Sequence, residues 1–164
     1  MFIIGKATDP EENLAQMLQS AQAVLEGEDD LISGLSNLSA VLAAYLPDIN
    51  WAGFYLLRGD TLVLGPFQGL PACTRILLGR GVCGTAAAED RTVVVEDVHA
   101  FLGHIACDSA SQSEIVAPIH QSGQIFGVLD IDSPKLDRFG AIEQDAIEQF
   151  VKMIESWLNS LNIN

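Results

Sequence analysis

Basic residues are scarce in this sequence. Its 164 residues include 8 Lys plus Arg against 22 Asp plus Glu, a formal net charge of −14. A chain so acidic repels phosphate backbones and anionic headgroups, which argues against nucleic acid and membrane surfaces as partners. Cysteine is scarce too, with Cys73, Cys83 and Cys107 the whole set. An odd count with no C-x-x-C pair argues against a disulfide scaffold and a structural zinc site, so no metal or other cofactor is expected. Only His104-x-x-Cys107 has zinc-like spacing. No apolar run approaches the length of a membrane span. Met1-Phe2-Ile3-Ile4-Gly5 lacks the basic start and apolar stretch of a signal peptide, so the expected location is the cytoplasm. Repeats and low-complexity linkers are also missing. What is present is globular: 49% hydrophobic and 18% charged residues, a composition that packs a core. The length suits one domain, residues 1–164, that needs neither disulfide nor metal to fold.

Thr8-Asp9-Pro10-Glu11 reads as a helix start, with a cap, a first-turn proline and an acid at the positive dipole end. Leu14, Met17, Leu18, Ala21 and Leu25 follow at helical spacing, and Gly27 stops the run. Glu28-Asp29-Asp30 opens a second helix with a stripe of Leu31, Leu35, Leu38, Leu42 and Leu46, ended by Pro47. The period then changes. Residues 49–57 and 61–67 are predicted strands around an Arg58-Gly59-Asp60 turn, and 75–78 a short third strand. The glycine-rich stretch 79–84 leads into a short predicted helix at Thr85-Ala86-Ala87-Ala88, and Thr92-Val93-Val94-Val95 is a compact strand. Residues 96–113 have no period and read as a long loop, a feature that is usually functional in a compact domain. Strands at 114–120 and 124–132 flank Gln121-Ser122-Gly123, and Ile147, Phe150, Ile154, Trp157 and Leu161 mark a long C-terminal helix. This order predicts an α+β domain: an antiparallel sheet with the terminal helices packed on one face. The terminal stripes exceed what one sheet face obviously needs, which makes a homodimer an expectation.

Several residues stand out chemically. Asp130 and Asp132 alternate with Leu129 and Ile131, so on a strand the acids share one face. A solvated sheet face would look the same. Trp51, Gly53 and Tyr55 also share a face, and Gly53 leaves space between two rings, either as a pocket floor or as ordinary core. Cys83 opens the short helix, where the helix dipole would lower its pKa. Between Val82 and a run of alanines it also suits a small buried hydrophobe. His120 beside its turn is expected at the surface.

Trp51-Ala52-Gly53-Phe54-Tyr55, Gly81-Val82-Cys83-Gly84, Ile105-Ala106-Cys107-Asp108, Ser113-Glu114-Ile115-Val116 and Gly127-Val128-Leu129-Asp130-Ile131-Asp132-Ser133 together resemble a GAF domain. The three cysteines beside Glu114, Asp130 and Asp132 are more specific. In that combination the chain resembles the free methionine-(R)-sulfoxide reductases over nearly its whole length. The resemblance implies a GAF-like sheet and a thiol-dependent oxidoreductase of oxidative stress, reducing free methionine sulfoxide through a cysteine sulfenic acid and an intramolecular disulfide, with a thioredoxin-type dithiol as reductant. It makes Cys107, in the long loop, the attacking thiol, with Cys83 or Cys73 resolving it; an exchange of roles between Cys107 and Cys83 stays open. It gives Glu114, Asp130 and Asp132 the tasks of holding the substrate ammonium and protonating the sulfoxide oxygen, and makes Trp51 and Tyr55 pocket walls. The alternative is a non-catalytic GAF module that senses a small ligand. Thiol-dependent turnover separates the two.

Overall fold

The computed structural model describes residues 4–105 and 109–161. Helix α1 (Pro10–Leu25) begins where Asp9 accepts a hydrogen bond from the Glu12 N–H at 2.9 Å. Helix α2 (Leu31–Tyr45) begins in the same way, with Asp30 accepting from Ser33 N–H at 2.7 Å. Each cap satisfies one of the leading N–H groups that a helix leaves unpaired.

Six strands follow: β1 (Trp51–Arg58), β2 (Thr61–Gly69), β3 (Arg75–Leu77), β4 (Val93–Val95), β5 (Ser113–Gln121) and β6 (Gln124–Ser133). They form one antiparallel sheet in the order β3-β2-β1-β6-β5-β4. The hairpins β1–β2 and β5–β6 are local, as the turn signals predict. The junction of the two halves is β1 against β6, strands far apart in the chain, with Trp51 opposite Asp132 and Gly53 opposite Asp130. Helix α3 (Gly81–Glu89) precedes β4, and α4 (Ala141–Ser160) closes the fold.

Strand alternation divides the side chains between two cores. Phe54, Ile115, Leu129 and Ile131 face a layer of α1, α2 and α4, where they meet Leu38, Leu42, Phe150 and Ile154. Trp51, Tyr55, Val116 and Val128 point the other way and are covered by α3 through Val82, Cys83 and Ala86. The α+β arrangement is the predicted one, with the terminal helices on one face. The apolar stripes of α1 and α4 are largely consumed inside this layer. Leu14, Leu25, Ile154 and Trp157 are all buried, and the Trp157 indole donates to the Glu28 carbonyl at 2.8 Å. The surplus that suggested a second copy is therefore mostly absorbed within the chain.

The α3 start differs from the sequence expectation. The helix begins at Gly81, so Gly81-Val82-Cys83-Gly84 is its first turn instead of a lead-in. Gly84 is needed because a Cβ there would run into the Leu77 carbonyl, and the Gly84 carbonyl accepts from Gly79 N–H at 2.8 Å. This close approach seats the start of α3 against the end of β3. His120 also departs from expectation. It is half-buried, and its ring nitrogens lie 2.8 Å from Glu155 Oε1 and 2.8 Å from Asp90 Oδ1.

Candidate active site

The β1–β6–β5 register builds the site. Trp51, Asp132 and Glu114 lie opposite one another across the three strands, and Gly53 and Asp130 form the next row. All point to the α3 face by strand alternation. Glu114 and Asp130 are each only 6% exposed, so neither belongs to a solvated sheet face. The two carboxyls are joined by a side-chain hydrogen bond. The Cys83 thiol donates to Glu114 Oε1 at 3.9 Å. Asp130 Oδ1 is buried with no hydrogen-bond partner among the described residues.

Burial controls the protonation of this group. Desolvation raises the Glu114 pKa well above the ordinary carboxylate range, and the neighbouring charges of Asp130 and Asp132 raise it further. Asp130 is raised to about 6 by burial, against hydrogen bonds from Cys83 and Glu114 that favour its charged form. Glu114 is thus the member that keeps the proton, donating it to Asp130. The Cys83 pKa moves opposite to the helix-dipole expectation. Burial pushes the thiol well above its usual value, and Asp130 and Glu114 add to that rise. A buried thiol facing two acids cannot profit from a helix N-terminus.

Trp51 and Tyr55 stack with ring centroids 5.8 Å apart. The space over Gly53 is not open floor: Phe67, its partner on β2, occupies it and stacks on Trp51 at 5.2 Å. Phe67 backs Trp51, a packing that local reading missed; only the hairpin register reveals it. The polar tips of both pocket aromatics reach one segment. The Trp51 indole donates to the Leu70 carbonyl at 3.2 Å, and the Tyr55 hydroxyl to the Cys73 carbonyl at 3.0 Å. Burial, then Asp130, raises the Tyr55 pKa and keeps the phenol neutral. Cys73, held at the pocket edge by this bond, is in a disulfide, whereas Cys83 is a free buried thiol. Cys107 lies outside the described residues, together with Ala106 and Asp108.

The cleft is lined by Trp51, Tyr55, Cys83, Glu114, Asp130 and Asp132. Arg80, the first turn of α3 and His104 also line it. His104 has a buried Nδ1 without a hydrogen-bond partner among the described residues, and burial, then His99, lowers its pKa. The cavity volume is about 30 Å³, enough for a water molecule or two and too little for an amino acid. Arg80 was also missed, because an exposed arginine before a glycine turn carries no local signal. Chemically the arrangement offers a carboxylic acid that holds its proton near neutrality, an anion beside it, and a disulfide at the rim.

A curled antiparallel sheet with helices on both faces and a cleft under α3 is GAF architecture. The GAF domain family model matches residues 9–156, and the chain belongs to that family. Within it the chain stands with the free methionine-R-sulfoxide reductases. It is 52% identical to the free methionine-R-sulfoxide reductase of Escherichia coli, over 90% of this chain and 89% of that one. It is also 52% identical to protein YtsP of Bacillus subtilis, over 96% and 99% of the two chains. The solved free methionine-R-sulfoxide reductase of Neisseria meningitidis, in complex with its substrate, superposes with a TM-score of 0.92 at 42% identity, covering 96% of each chain.

Proposed function

We propose that this protein reduces free L-methionine (R)-sulfoxide to L-methionine, using its own cysteines and then an external dithiol. The observation that carries the reading is the pair of buried carboxyls, Glu114 and Asp130, beside a pocket edge where Cys73 is disulfide-bonded. The likeness to the E. coli and N. meningitidis enzymes supports the substrate and its R configuration.

The Cys107 thiolate attacks the sulfoxide sulfur. Glu114 supplies the proton to the sulfoxide oxygen as the S–O bond breaks. The hydroxyl passes to the Cys107 sulfur as the transient bond between that sulfur and the substrate sulfur breaks, leaving a sulfenic acid and free methionine. The Cys73 thiol then condenses with that acid, releasing water and forming a disulfide. Two thiols have lost two electrons, and one sulfoxide has gained them. A thioredoxin-type dithiol reduces the disulfide. The disulfide state of Cys73 supports its choice as resolving thiol. The free, acid-facing state of Cys83 speaks against a redox role for that residue.

Asp130 and Asp132 hold the substrate ammonium. Arg80 and the first turn of α3, whose leading N–H groups have no intrahelical acceptor, line the same pocket and suit the substrate carboxylate. Trp51 and Tyr55 flank the methyl-sulfinyl group, since sulfur packs well at aromatic rings. The proposed setting is the cytoplasm, where such dithiols operate. No described helix is long and apolar enough to cross a membrane. A homodimer is proposed through the α1–α4 groove, where Leu18 and Met153 stay only partly buried; a sedimentation mass of one chain at micromolar concentration rejects it.

The test is turnover of separated methionine sulfoxide epimers with dithiothreitol or thioredoxin. Reduction of the free R epimer is expected, with little reduction of amino-capped substrate, because the cap removes the charge that Asp130 and Asp132 bind. Failure to reduce either epimer overturns the reading in favour of a ligand-sensing GAF module.

A further inference from the structure

Cys83 has no part in the redox cycle above, yet its sulfur is placed among the acids. Sγ of Cys83 and carboxylate oxygens of Glu114 and Asp130 all lie within 4.8 Å of one another. The Sγ–Oε1 distance is 3.9 Å. A tetrahedral zinc ion with bonds of about 2.0–2.3 Å sets its donors about 3.4–3.6 Å apart. A contraction of well under 1 Å thus brings sulfur and the Glu114 oxygen to ligand spacing. An independent sign is Asp130 Oδ1, an acceptor that is buried and unpartnered among the described residues, on a residue 6% exposed that lines the cleft. Buried carboxyl oxygens rarely go without a donor, and a cation is the partner this one lacks.

We propose that Cys83, Glu114 and Asp130 form a binding site for a thiophilic divalent cation of the zinc type, and that the bound ion inhibits the enzyme by occupying the acids that the substrate needs. One thiolate and two carboxylates suit zinc, cadmium or cobalt, whereas calcium and magnesium prefer oxygen donors alone in larger number. Three protein ligands leave a fourth position open toward the cleft, whose volume of about 30 Å³ admits a water on the ion. No redox change is involved: the thiol and the acids release protons and the metal takes their place.

The inhibition rests on the reductase reading; the binding does not, and the two are tested separately. The oxidised protein, with Cys73 in its disulfide, is titrated with Co²⁺ in the absence of any reductant. A thiolate-to-cobalt charge-transfer band in the near ultraviolet is expected, saturating at one equivalent and displaced by Zn²⁺. Cys83→Ser is expected to abolish the band, while Glu114→Gln and Asp130→Asn each weaken cobalt binding at least tenfold, with folding checked by circular dichroism. A band that survives in folded Cys83→Ser, or no band in the unsubstituted protein, overturns the site. Inhibition is read in a single turnover, which avoids chelating dithiols. Pre-reduced enzyme receives one equivalent of sulfoxide with or without Zn²⁺, and methionine is counted. Slowing by Zn²⁺ that excess sulfoxide relieves is expected. An undiminished rate in zinc-saturated enzyme overturns the inhibition, and an enzyme inactive even without zinc overturns the reductase reading while the cobalt band still decides the site.

Discussion

Replacing Asp130 with asparagine should make the protein more stable and a worse enzyme. The carboxyl is 6% exposed, and burial raises its pKa from 3.8 to about 6. A folded-state pKa above the unfolded one means that folding strengthens proton binding. That contribution is fully present below pH 3.8 and is lost as pH rises through about 6. Above that range the folded protein carries a buried anion that the unfolded chain would hold in water. At 1.36 kcal/mol for each tenfold in proton affinity, the penalty is about 3 kcal/mol. An asparagine of the same shape does not titrate and escapes it. For a domain of this size, that gain corresponds to a melting temperature higher by about 6–12 °C at pH 8. The gain should shrink toward zero as the pH falls below 4. Denaturation of both proteins at pH 4, 6 and 8 measures this. Steady-state kinetics on the same samples should show KM for the free substrate raised at least tenfold, the signature of a lost ammonium contact made equally in ground and transition states. A variant no more stable than its parent at pH 8, or a difference independent of pH, refutes the argument and with it the view that Asp130 is retained for binding at the expense of the fold.

Glu114→Gln should lower kcat by about 10²–10⁴-fold with KM nearly unchanged, and should remove the kinetic limb along which the parent slows as pH rises through the elevated Glu114 pKa; a pH–rate profile checks both. Cys107→Ser should abolish turnover in a folded protein. In the parent, one equivalent of sulfoxide without reductant should leave a Cys73–Cys107 disulfide by peptide mapping. A pairing through Cys83, or near-normal turnover of Cys107→Ser, removes these assignments. His120→Ala should destabilise the protein by about 1 kcal/mol at low pH. Burial pulls the His120 pKa down, but the hydrogen bonds that the ring donates to Glu155 and Asp90 outweigh it and raise the value. The stability is therefore present below the unfolded value near 6.5 and lost as pH rises through the folded one, so urea midpoints of parent and variant should converge in alkali.

The elements legible in the sequence were those fixed by neighbours in the chain. Asp9 and Asp30 announce their helices because a cap acts across three residues. Alternation along β6 tells that Asp130 and Asp132 share a face, since pleating allows nothing else. What stayed hidden depends on residues far apart. The meeting of β1 and β6 decides which acids face Trp51, and no local pattern encodes that pairing. The Cys83 environment is hidden for the same reason. Its neighbours suggested either a helix N-terminus or a small buried residue, and it is burial, with Asp130 and Glu114 approaching from two strands, that turns its pKa upward. Gly53 shows the limit most clearly: the gap it leaves is real, but the residue that fills it, Phe67, comes from the facing strand.

A single rule of strand geometry accounts for the coexistence of a stable core and a costly acid cluster in so small a sheet. On β6, Leu129 and Ile131 face the helical layer and are fully buried among its apolar side chains. Each intervening residue faces α3, where the sheet meets a helix of only nine residues. So short a helix covers the sheet incompletely, and the uncovered part is the cleft. The same backbone hydrogen bonds hold both faces in register. Shifting β6 by one residue against β1 would bury the acids in the helical layer and expose Leu129 and Ile131 in the cleft. The apolar face therefore fixes the carboxyls at positions they would not choose by their own solvation, and their raised pKa values follow from that placement. The fold keeps a proton on Glu114 by making its release unfavourable, and the stability of the opposite face supplies the means.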